Sequence, residues 1–318
     1  MSRKSPVIVL VGPTAVGKTA VGIALAQRLG GEIVSADSRQ IYRYLTIGTA
    51  QPTPEERAAV PHHCVDFVEP NRVYTVAEFK ADAERALDDI LQRGKQPLVV
   101  GGTGLYIKAL VDGLTFTQVA GDEALRRELE REAEEQGNAA LHARLAAVDP
   151  ETAVRLHVND RKRIVRALEV YLLTGKPLSY WHTQAGREPP RYEFRQFGLA
   201  MPREALYARI NDRVKKMLAV GWVDEVRNFL ARGYDPASLA WESLGYRYLL
   251  AYLRGEVDLT TAIALTQRDT RRFAKRQLTW FRADRRIQWF NLLPNFDPAQ
   301  VAERVLASDP FDKADWGG

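Results

Sequence analysis

The fold of this chain is decided by one stretch near its start, Gly12-Pro13-Thr14-Ala15-Val16-Gly17-Lys18-Thr19. The stretch fits the pattern G-x-x-x-x-G-K-[ST], follows an apolar run and opens a helical pattern. Its glycines allow backbone N–H groups to surround phosphate oxygens, and the next helix directs its positive N-terminal end at the same atoms. Lys18 adds a full positive charge, and the hydroxyl of Thr19 can bind a magnesium ion. We therefore predict a phosphate-binding loop that holds a di- or triphosphate.

The segments around this loop predict a parallel sheet. Val7 to Val11, Glu32 to Ser35 and Pro97 to Val100 are typical of buried strands, and helical patterns lie between them. Strands that alternate with helices pair in parallel through right-handed crossovers. The predicted fold class is therefore α/β, with a P-loop NTPase-like parallel sheet as its core.

The pattern changes from about Gly121, where the strand signals stop. Charged helical patterns continue to about Arg191, after which Glu193 to Ala200 resumes the alternation of a strand. From Arg203 onward the chain reads as helical to its end, apart from breaks such as Gly233 to Pro236. We therefore predict an inserted all-helical subdomain over residues 121–191. The catalytic core would comprise residues 1–120 and 192–318 and end in a helical C-terminal region.

The composition excludes several classes of protein. The single cysteine among 318 residues, Cys64, rules out an intrachain disulfide and favours a reducing compartment. No stretch approaches the roughly 18 consecutive apolar residues that a membrane-spanning helix needs. We therefore predict a cytoplasmic protein that does not enter a membrane.

Positive charge is concentrated near the end of the chain, although the net charge is only +5. Between residues 268 and 286 only Asp269 and Asp284 are acidic, and the basic residues are Arg268, Arg271, Arg272, Lys275, Arg276, Arg282, Arg285 and Arg286. Phe273, Trp280 and Phe281 lie among them. Basic and aromatic side chains together suit a nucleic acid, but an amphipathic helix with a solvated basic face would give the same pattern.

A second basic cluster lies inside the predicted insertion and consists of Arg161, Lys162, Arg163 and Arg166. It leaves two interpretations open, a clamp on an acidic partner or a solvated helix face.

Asp37 and a second glycine-rich turn are predicted to lie beside the phosphate loop. Ala36 and Asp37 follow the second strand, and Gly101 to Tyr106 follows the third. The carboxyl ends of parallel strands form the active-site edge of such a sheet. Asp37 is therefore a candidate catalytic group, with a helix N-cap as the alternative. The third strand ends without the carboxylate that hydrolytic NTPases use for magnesium, which favours a transferase whose acceptor lies near Asp37 and Thr103.

These segments together resemble the tRNA dimethylallyltransferases, also called tRNA isopentenyltransferases. The resemblance extends over most of the chain and is carried by Gly12 to Thr19, Asp37 to Tyr42, Ile47 to Ala50, Pro61 to His63, Gly101 to Tyr106, Asn159 to Leu178, Leu244 to Tyr246 and Lys275 to Arg282. It implies transfer of a dimethylallyl group from its diphosphate to N6 of the adenosine immediately 3′ of the anticodon in tRNA.

The resemblance also implies roles for individual residues. Asp37 would act as the base, Thr103 would orient the amine, and Thr19 would bind Mg²⁺. The diphosphate would be bound by Gly12, Thr14, Ala15, Val16, Gly17, Lys18 and Thr19. Arg213 is a further candidate for the diphosphate, with a surface salt bridge as the alternative.

By the same resemblance the helical insertion would grip the anticodon stem-loop, and we expect a monomer. The residues implied in tRNA binding are Asp37, Ser38, Arg39, Gln40, Thr103, Arg126, Lys162, Arg163, Arg166, Glu242, Ser243, Leu244, Gly245, Tyr246, Arg247, Lys275, Arg276, Gln277, Thr279, Trp280 and Arg282.

Three other functions are compatible with parts of the sequence. A small-molecule P-loop kinase would use the same loop but leaves the C-terminal basic segment unexplained. An isopentenyltransferase that acts on free adenine nucleotides would need neither the insertion nor the second basic cluster. A non-enzymatic RNA-binding module would give Asp37 no purpose beside an intact phosphate loop.

Overall fold

The computed structural model describes residues 6–116, 119, 121–184, 189, 191–236 and 238–308. Within these residues six strands form one sheet, in which every neighbouring pair is parallel. The strands are β1 (Pro6–Val11), β2 (Glu32–Ala36), β3 (His62–His63), β4 (Pro97–Gly101), β5 (Glu193–Ala200) and β6 (Gln288–Asn291). Their order is β3-β2-β4-β1-β5-β6, which confirms the predicted α/β fold with a parallel sheet core.

Both faces of the sheet are buried, and the sequence of β1 shows why. Val7, Val9 and Val11 pack into one hydrophobic cluster, whereas Ile8 and Leu10 pack into another. Successive side chains of a strand point to opposite faces, so an unbroken apolar run can serve helices on both sides of a sheet.

Helices, the other strands and several loop residues supply the rest of both clusters. In chain order the described helices are α1 (Lys18–Leu29), α2 (Thr46–Thr49), α3 (Pro54–Ala59), α4 (Val76–Gln92), α5 (Gly104–Val111), α6 (Glu123–Gln136), α7 (Asn138–Val148), α8 (Pro150–Arg155), α9 (Arg161–Thr174), α10 (Leu178–Gln184), α11 (Arg203–Ala219), α12 (Trp222–Ala231), α13 (Tyr246–Leu253), α14 (Leu259–Arg282) and α15 (Pro298–Ser308). None of these described helices has the length and apolar character that crossing a bilayer requires.

The chain divides into two compact units. One contains Met1–Val111 and Pro190–Gly318 and includes the whole sheet, and the other contains Asp112–Pro189. The second unit contains α6 to α10 and has its own hydrophobic core, with Leu129, Leu145 and Ile164 among its buried residues. The insertion expected from the sequence, residues 121–191, starts and ends slightly later in the chain than this unit.

The C-terminal region is not entirely helical, and the prediction was wrong on this point. The strand β6 pairs with β5, with Gly198 opposite Trp289 and Ala200 opposite Asn291. Only Phe290 of its four residues is buried. The strand therefore lacks the apolar run or clear alternation by which β1, β2, β4 and β5 were recognised, and the two-residue strand β3 was missed for the same reason.

The register of the central strands decides what meets at the carboxyl edge of the sheet. Gly101, the last residue of β4, lies opposite both Val11 of β1 and Ala36 of β2. These three strands therefore end side by side. The segments that leave them, which start at Gly12, Asp37 and Gly102, begin next to one another.

Candidate active site

The phosphate loop, residues 12–19, adopts a backbone that its glycines make possible. Gly12 and Gly17 have φ angles of 149° and 111°, a region that other residues rarely adopt. A Cβ on Gly12 would lie 2.6 Å from the carbonyl oxygen of Leu199. Helix α1 begins at Lys18 with Gly17 as its N-cap, so its unpaired amides and positive dipole end face the loop. The loop therefore has the form of an anion-binding site.

Lys18, Arg213 and Asp37 form a cluster of interacting charges beside this loop. The Lys18 ammonium donates a 2.9 Å hydrogen bond to the carbonyl oxygen of Pro13. Burial lowers the pKa of Lys18 to about 8, opposed by the charge of Asp37 and assisted by the charge of Arg213. Burial also lowers the pKa of the Arg213 guanidinium, again opposed by Asp37. No described carboxylate forms an ion pair with Arg213, so the surface salt bridge considered for it is absent there.

Asp37 lies in a turn and does not cap a described α-helix, so the N-cap alternative was wrong. Its Oδ1 accepts hydrogen bonds from the backbone N–H groups of Arg39 (2.9 Å) and Gln40 (3.3 Å). An aspartate that binds the backbone two residues ahead in this way is typical of a tight turn. No described residue donates a hydrogen bond to Oδ2. One carboxylate oxygen therefore fixes the loop, and the other remains available for chemistry.

Thr103 is bound to the backbone on both sides of Asp37. Its N–H donates to the carbonyl oxygen of Ala36 at 3.1 Å, and its Oγ1 accepts from the N–H of Ser38 at 2.9 Å. Oγ1 also donates to the hydroxyl of Ser38 at 3.3 Å. Thr103 is thus held against the residues on either side of Asp37, close to where the sequence placed it from the ends of β2 and β4.

Gln277 of α14, which the resemblance assigned to tRNA binding, has its side chain in the interior. It is 6% exposed, and its amide connects two backbone segments of the site. Oε1 accepts a 2.8 Å hydrogen bond from the N–H of Thr14, and Nε2 donates a 2.9 Å hydrogen bond to the carbonyl oxygen of Gly102. The Gln277 side chain is therefore not available to RNA, and this prediction is corrected.

Two residues that the sequence analysis missed brace the outside of the phosphate loop. The guanidinium of Arg209 donates to the carbonyl oxygen of Ala15 at 3.1 Å and to that of Pro294 at 3.0 Å. The ring of Phe296 lies against Gly17, where a Cβ would meet its Cζ at 2.3 Å. Ala15 has a φ of 64°, an uncommon conformation for a residue with a side chain, and the bond to Arg209 stabilises it.

One face of α14 carries exposed basic and aromatic side chains next to Thr103. The indole of Trp280 is 45% exposed and lies over the backbone of Gly104, where a Cβ would be 2.2 Å from its Cδ1. The residues on this face that are exposed and were assigned to tRNA are Lys275, Arg276, Thr279, Trp280 and Arg282. Asp269 and Asp284 pair with other arginines, and among the described residues none forms an ion pair with Lys275, Arg276 or Arg282.

Comparison with known proteins shows to which family the chain belongs. The sequence profile of the IPP transferases matches residues 40–284, which is more than half of the chain, and that of the isopentenyl transferases matches residues 5–65. A tRNA dimethylallyltransferase of Symbiobacterium thermophilum is 53% identical over 289 residues, which cover 91% of this chain and 90% of that protein. The counterpart in Carboxydothermus hydrogenoformans is 50% identical and covers 92% of this chain and 93% of its own. The chain belongs to the IPP transferase family.

Solved structures of IPP transferases share the fold. The tRNA isopentenylpyrophosphate transferase of Bacillus halodurans is 38% identical, with a TM-score of 0.69 over 96% of each chain. A eukaryotic dimethylallyltransferase described as acting on tRNA is 29% identical, with a TM-score of 0.70 over 90% of this chain and 74% of that chain.

Some residues that the family resemblance assigned to tRNA binding lie in the core of this chain. Tyr246 is fully buried and donates its hydroxyl to Oε1 of Glu225 at 2.5 Å, and Ser243 is 1% exposed. Burial and the Glu225 carboxylate raise the pKa of Tyr246 well above its usual value. Neither side chain can reach an RNA, which corrects their assignment. Of the same segment Glu242 and Arg247 are exposed, Leu244 is half-buried, and Gly245 has a φ of 91°.

The half-buried side chains that follow Asp37 contact other loops of the protein. Arg39 donates to the carbonyl oxygen of Leu239 at 2.5 Å and lies 3.6 Å from Oε2 of Glu242. Gln40 donates to the carbonyl oxygen of Ala50 at 2.8 Å. Both side chains therefore hold neighbouring loops in place in addition to any contact with RNA.

The basic residues of the second unit were also assigned to tRNA by the family resemblance. Arg126 and Arg166 both pair with Glu169, at 2.9 Å and 2.6 Å, and Glu169 is fully buried. Arg163 pairs with Asp160 at 3.0 Å, and Lys162 lies beside it on α9. Two of the four thus neutralise a buried acid, a role that the sequence pattern did not reveal.

Proposed function

We propose that this chain transfers a dimethylallyl group from dimethylallyl diphosphate to N6 of the adenosine 3′ of the anticodon in tRNA. The observation that carries the proposal is the placement of Asp37 and Thr103 beside a phosphate loop at the carboxyl edge of the sheet. Relatives that match almost the whole chain bear the name of this activity.

The phosphate loop would activate the leaving group. Its amides, the Lys18 ammonium and the Arg213 guanidinium place positive charge where the diphosphate acquires charge as the allylic C–O bond breaks and the electron pair leaves with oxygen. Stabilisation of this kind is effective because the charges are already in position and partly shielded from water. Exclusion of water also protects the allylic carbon from hydrolysis.

Asp37 would act on the acceptor. The N6 amine attacks the allylic carbon, and as the new C–N bond forms its proton passes to the Asp37 carboxylate, leaving the product neutral at N6. General-base catalysis of this kind contributes about 10²–10⁴ in rate. Thr103, held against Ser38, would orient the amine for attack.

The residues of the loop fit a magnesium ion. Mg²⁺ is usually held by one or two protein oxygens together with water and substrate phosphates, so it needs no dedicated cluster of side chains. The described residues contain no cluster of three or more His, Cys, Asp or Glu side chains that could hold a metal, and Thr19 is placed at the start of α1. Thr19 would hold the ion against the diphosphate, where it would supply further positive charge to the leaving group.

The tRNA would lie on the exposed face of α14. Lys275, Arg276 and Arg282 would contact phosphates, and Trp280 offers a flat surface on which a base can stack. The adenosine lies in a single-stranded loop, so its extrusion costs less than from a duplex. The helical second unit would grip the anticodon stem-loop. We also propose that the protein acts as a monomer in the cytoplasm.

The choice of acceptor tests this proposal against its alternatives. Purified protein is incubated with Mg²⁺, radiolabelled dimethylallyl diphosphate and one of three acceptors: an anticodon stem-loop, the same stem-loop with guanosine at the target position, or AMP. We expect label on the first acceptor alone. Label on AMP would indicate an enzyme of free nucleotides. No transfer, together with phosphorylation of a small molecule from ATP, would indicate a kinase and overturn the proposal.

A further inference from the structure

The buried amide of Gln277 occupies the space between the two halves of the site. On one side it binds the N–H of Thr14 in the phosphate loop, and on the other the carbonyl oxygen of Gly102 in the turn before Thr103. An N–H can only donate and a carbonyl can only accept, so the two partners fix the orientation of the amide. The side chain of Gln277 is therefore long enough to join these two backbone segments, and its amide has the acceptor and the donor that they require.

Gly102 is shaped to this side chain. A Cβ on Gly102 would lie 2.3 Å from Nε2 of Gln277, closer than any real contact. The conformation of Gly102 itself does not demand glycine, because its φ is not in the left-handed region. Its lack of a side chain is therefore explained by the approach of Gln277.

These hydrogen bonds, together with the peptide bond between Gly102 and Thr103, form one continuous series of contacts across the site. Gln277 binds Gly102, the adjacent Thr103 binds the backbone of Ala36 and Ser38, and Asp37 lies between these two residues. At its other end Gln277 binds Thr14 in the loop proposed to bind the diphosphate. The series therefore joins the proposed base to the proposed site of the leaving group.

The geometry points to Gln277 as a positioning residue that fixes the distance between the diphosphate and the amine acceptor. It does so by holding the phosphate loop and the Gly102–Thr103 turn in one register. It touches neither substrate, in contrast to its neighbours Lys275, Arg276 and Trp280 on the exposed face of α14. This inference rests on the proposed function, since it assigns the two ends of the series to the two substrates.

Gln277→Met tests the inference, because methionine has a similar volume but can neither donate to Gly102 nor accept from Thr14. The matched control is Gln267→Met on the same helix, where Nε2 of Gln267 donates to the carbonyl oxygen of Asn211 at 3.1 Å, outside the series. We measure kcat for dimethylallyl transfer, KM for each substrate, the Kd of the anticodon stem-loop and the thermal midpoint. We expect kcat of Gln277→Met to fall about 10- to 100-fold, as misplacement of reacting groups commonly does. The Kd of the stem-loop should stay near the wild-type value.

Gly102→Ala provides a second test that leaves Gln277 chemically intact. The added methyl group would occupy the position of the Gln277 amide, so the amide must move away from Gly102. We therefore expect the same loss of kcat as in Gln277→Met, with the Kd of the stem-loop again near the wild-type value. If wild-type protein transfers no label to the stem-loop, the proposed function fails and the role of Gln277 fails with it. If wild type is active and Gln277→Met matches Gln267→Met in kcat, only the positioning role is overturned. If Gln277→Met binds the stem-loop more weakly but keeps its kcat, the positioning role is also overturned, because that result would assign Gln277 to the surface that binds RNA.

Discussion

Two regions of the first unit that carry glycine-containing motifs of the family use glycine for opposite purposes. In the phosphate loop Gly12 and Gly17 give the backbone the form that surrounds an anion. Around Trp222 the glycines accommodate a side chain instead. A Cβ on Gly48 would lie 2.2 Å from the indole Nε1, and one on Gly245 would lie 2.1 Å from its Cη2. We refer to Gly48, Trp222, Glu225, Gly245 and Tyr246 as the support region.

The charged side chains of the two regions also differ, in how fully hydrogen bonds or water compensate their charge. In the support region the Glu225 carboxylate accepts hydrogen bonds from the N–H groups of Thr46 (2.9 Å), Ile47 (2.7 Å) and Gly48 (3.1 Å), and from the hydroxyl of Tyr246 (2.5 Å). At the phosphate loop the lowered pKa of Lys18 shows an ammonium that burial has partly deprived of water. A charged group whose hydrogen bonds are all made stabilises the fold, whereas a charged group that burial destabilises is a sign of function.

The sharpest test of this comparison is Asp37→Asn. Asparagine keeps an oxygen that can accept from Arg39 and Gln40, so the turn is preserved while the base is lost. We expect kcat for dimethylallyl transfer to fall by about 10²–10⁴. The denaturant midpoint and the Kd of dimethylallyl diphosphate should stay close to wild type.

The result for Asp37→Asn has a clear contrary outcome. If transfer persists at more than about a tenth of the wild-type rate, Asp37 contributes less than general bases do and another group takes the proton. A large loss of stability with the loss of rate would instead place Asp37 among the supporting residues.

The phosphate loop should also respond to pH through Lys18. The pKa of Lys18 is lowered to about 8, and a bound diphosphate raises it again because negative charge favours the ammonium form. Above pH 8 binding must therefore take up a proton, so affinity should fall with rising pH by at most about tenfold per unit. Calorimetric titration with dimethylallyl diphosphate across neutral and alkaline pH measures this dependence.

Lys18→Arg is the control for this titration. A guanidinium remains charged throughout the range, so its curve should contain only the titration of the ligand itself. Parallel curves for wild type and Lys18→Arg would show that Lys18 does not titrate in binding.

The sequence was most informative where function depends on the ends of strands. Parallel strands place whatever follows them at one edge, so Asp37 and the Gly102–Thr103 turn could be assigned to the phosphate loop, and the pairing of Gly101 with Val11 and Ala36 agrees. The braces Arg209 and Phe296 could not be foreseen, because they reach the loop from distant parts of the chain and match no local pattern.

The errors have a common physical cause, since a motif shows which residues occur but not which way they face. Gln277 and Tyr246 were assigned to RNA because they lie within segments that characterise the family, yet both are buried. A signal for Gln277 was present in the helical period. Ala274, Gln277 and Phe281 recur at i, i+3 and i+7 and form the buried stripe of α14, whereas Lys275 and Arg276 lie outside it.

The exposed stripe of the same helix should show a smaller, salt-dependent effect. Lys275→Ala removes one positive charge that no described carboxylate pairs with, so binding of the stem-loop should weaken at low salt. In a plot of log affinity against log salt concentration, the slope should lose about 0.7–0.9, as expected for one phosphate contact. Arg268→Ala is the control, because Arg268 already pairs with Asp269 at 2.9 Å. Equal slopes for wild type and Lys275→Ala would remove Lys275 from the RNA surface.

The support region should give the smallest effect on activity and a measurable one on stability. Tyr246→Phe removes the hydroxyl that donates to Glu225, and a hydrogen bond to a charged group contributes about 1.5–3 kcal/mol. We expect the free energy of unfolding in urea to fall by that amount, with kcat and stem-loop Kd close to wild type. The control is Tyr252→Phe on the same helix, because the hydroxyl of Tyr252 binds no described residue and its loss should change little.

A fall in kcat of Tyr246→Phe at unchanged stability would mean that the support region acts on the substrates, and the contrast between the two glycine-containing regions would not hold. Retention of kcat in Tyr246→Phe, beside its loss in Asp37→Asn, would place the chemistry at the carboxyl edge of the sheet.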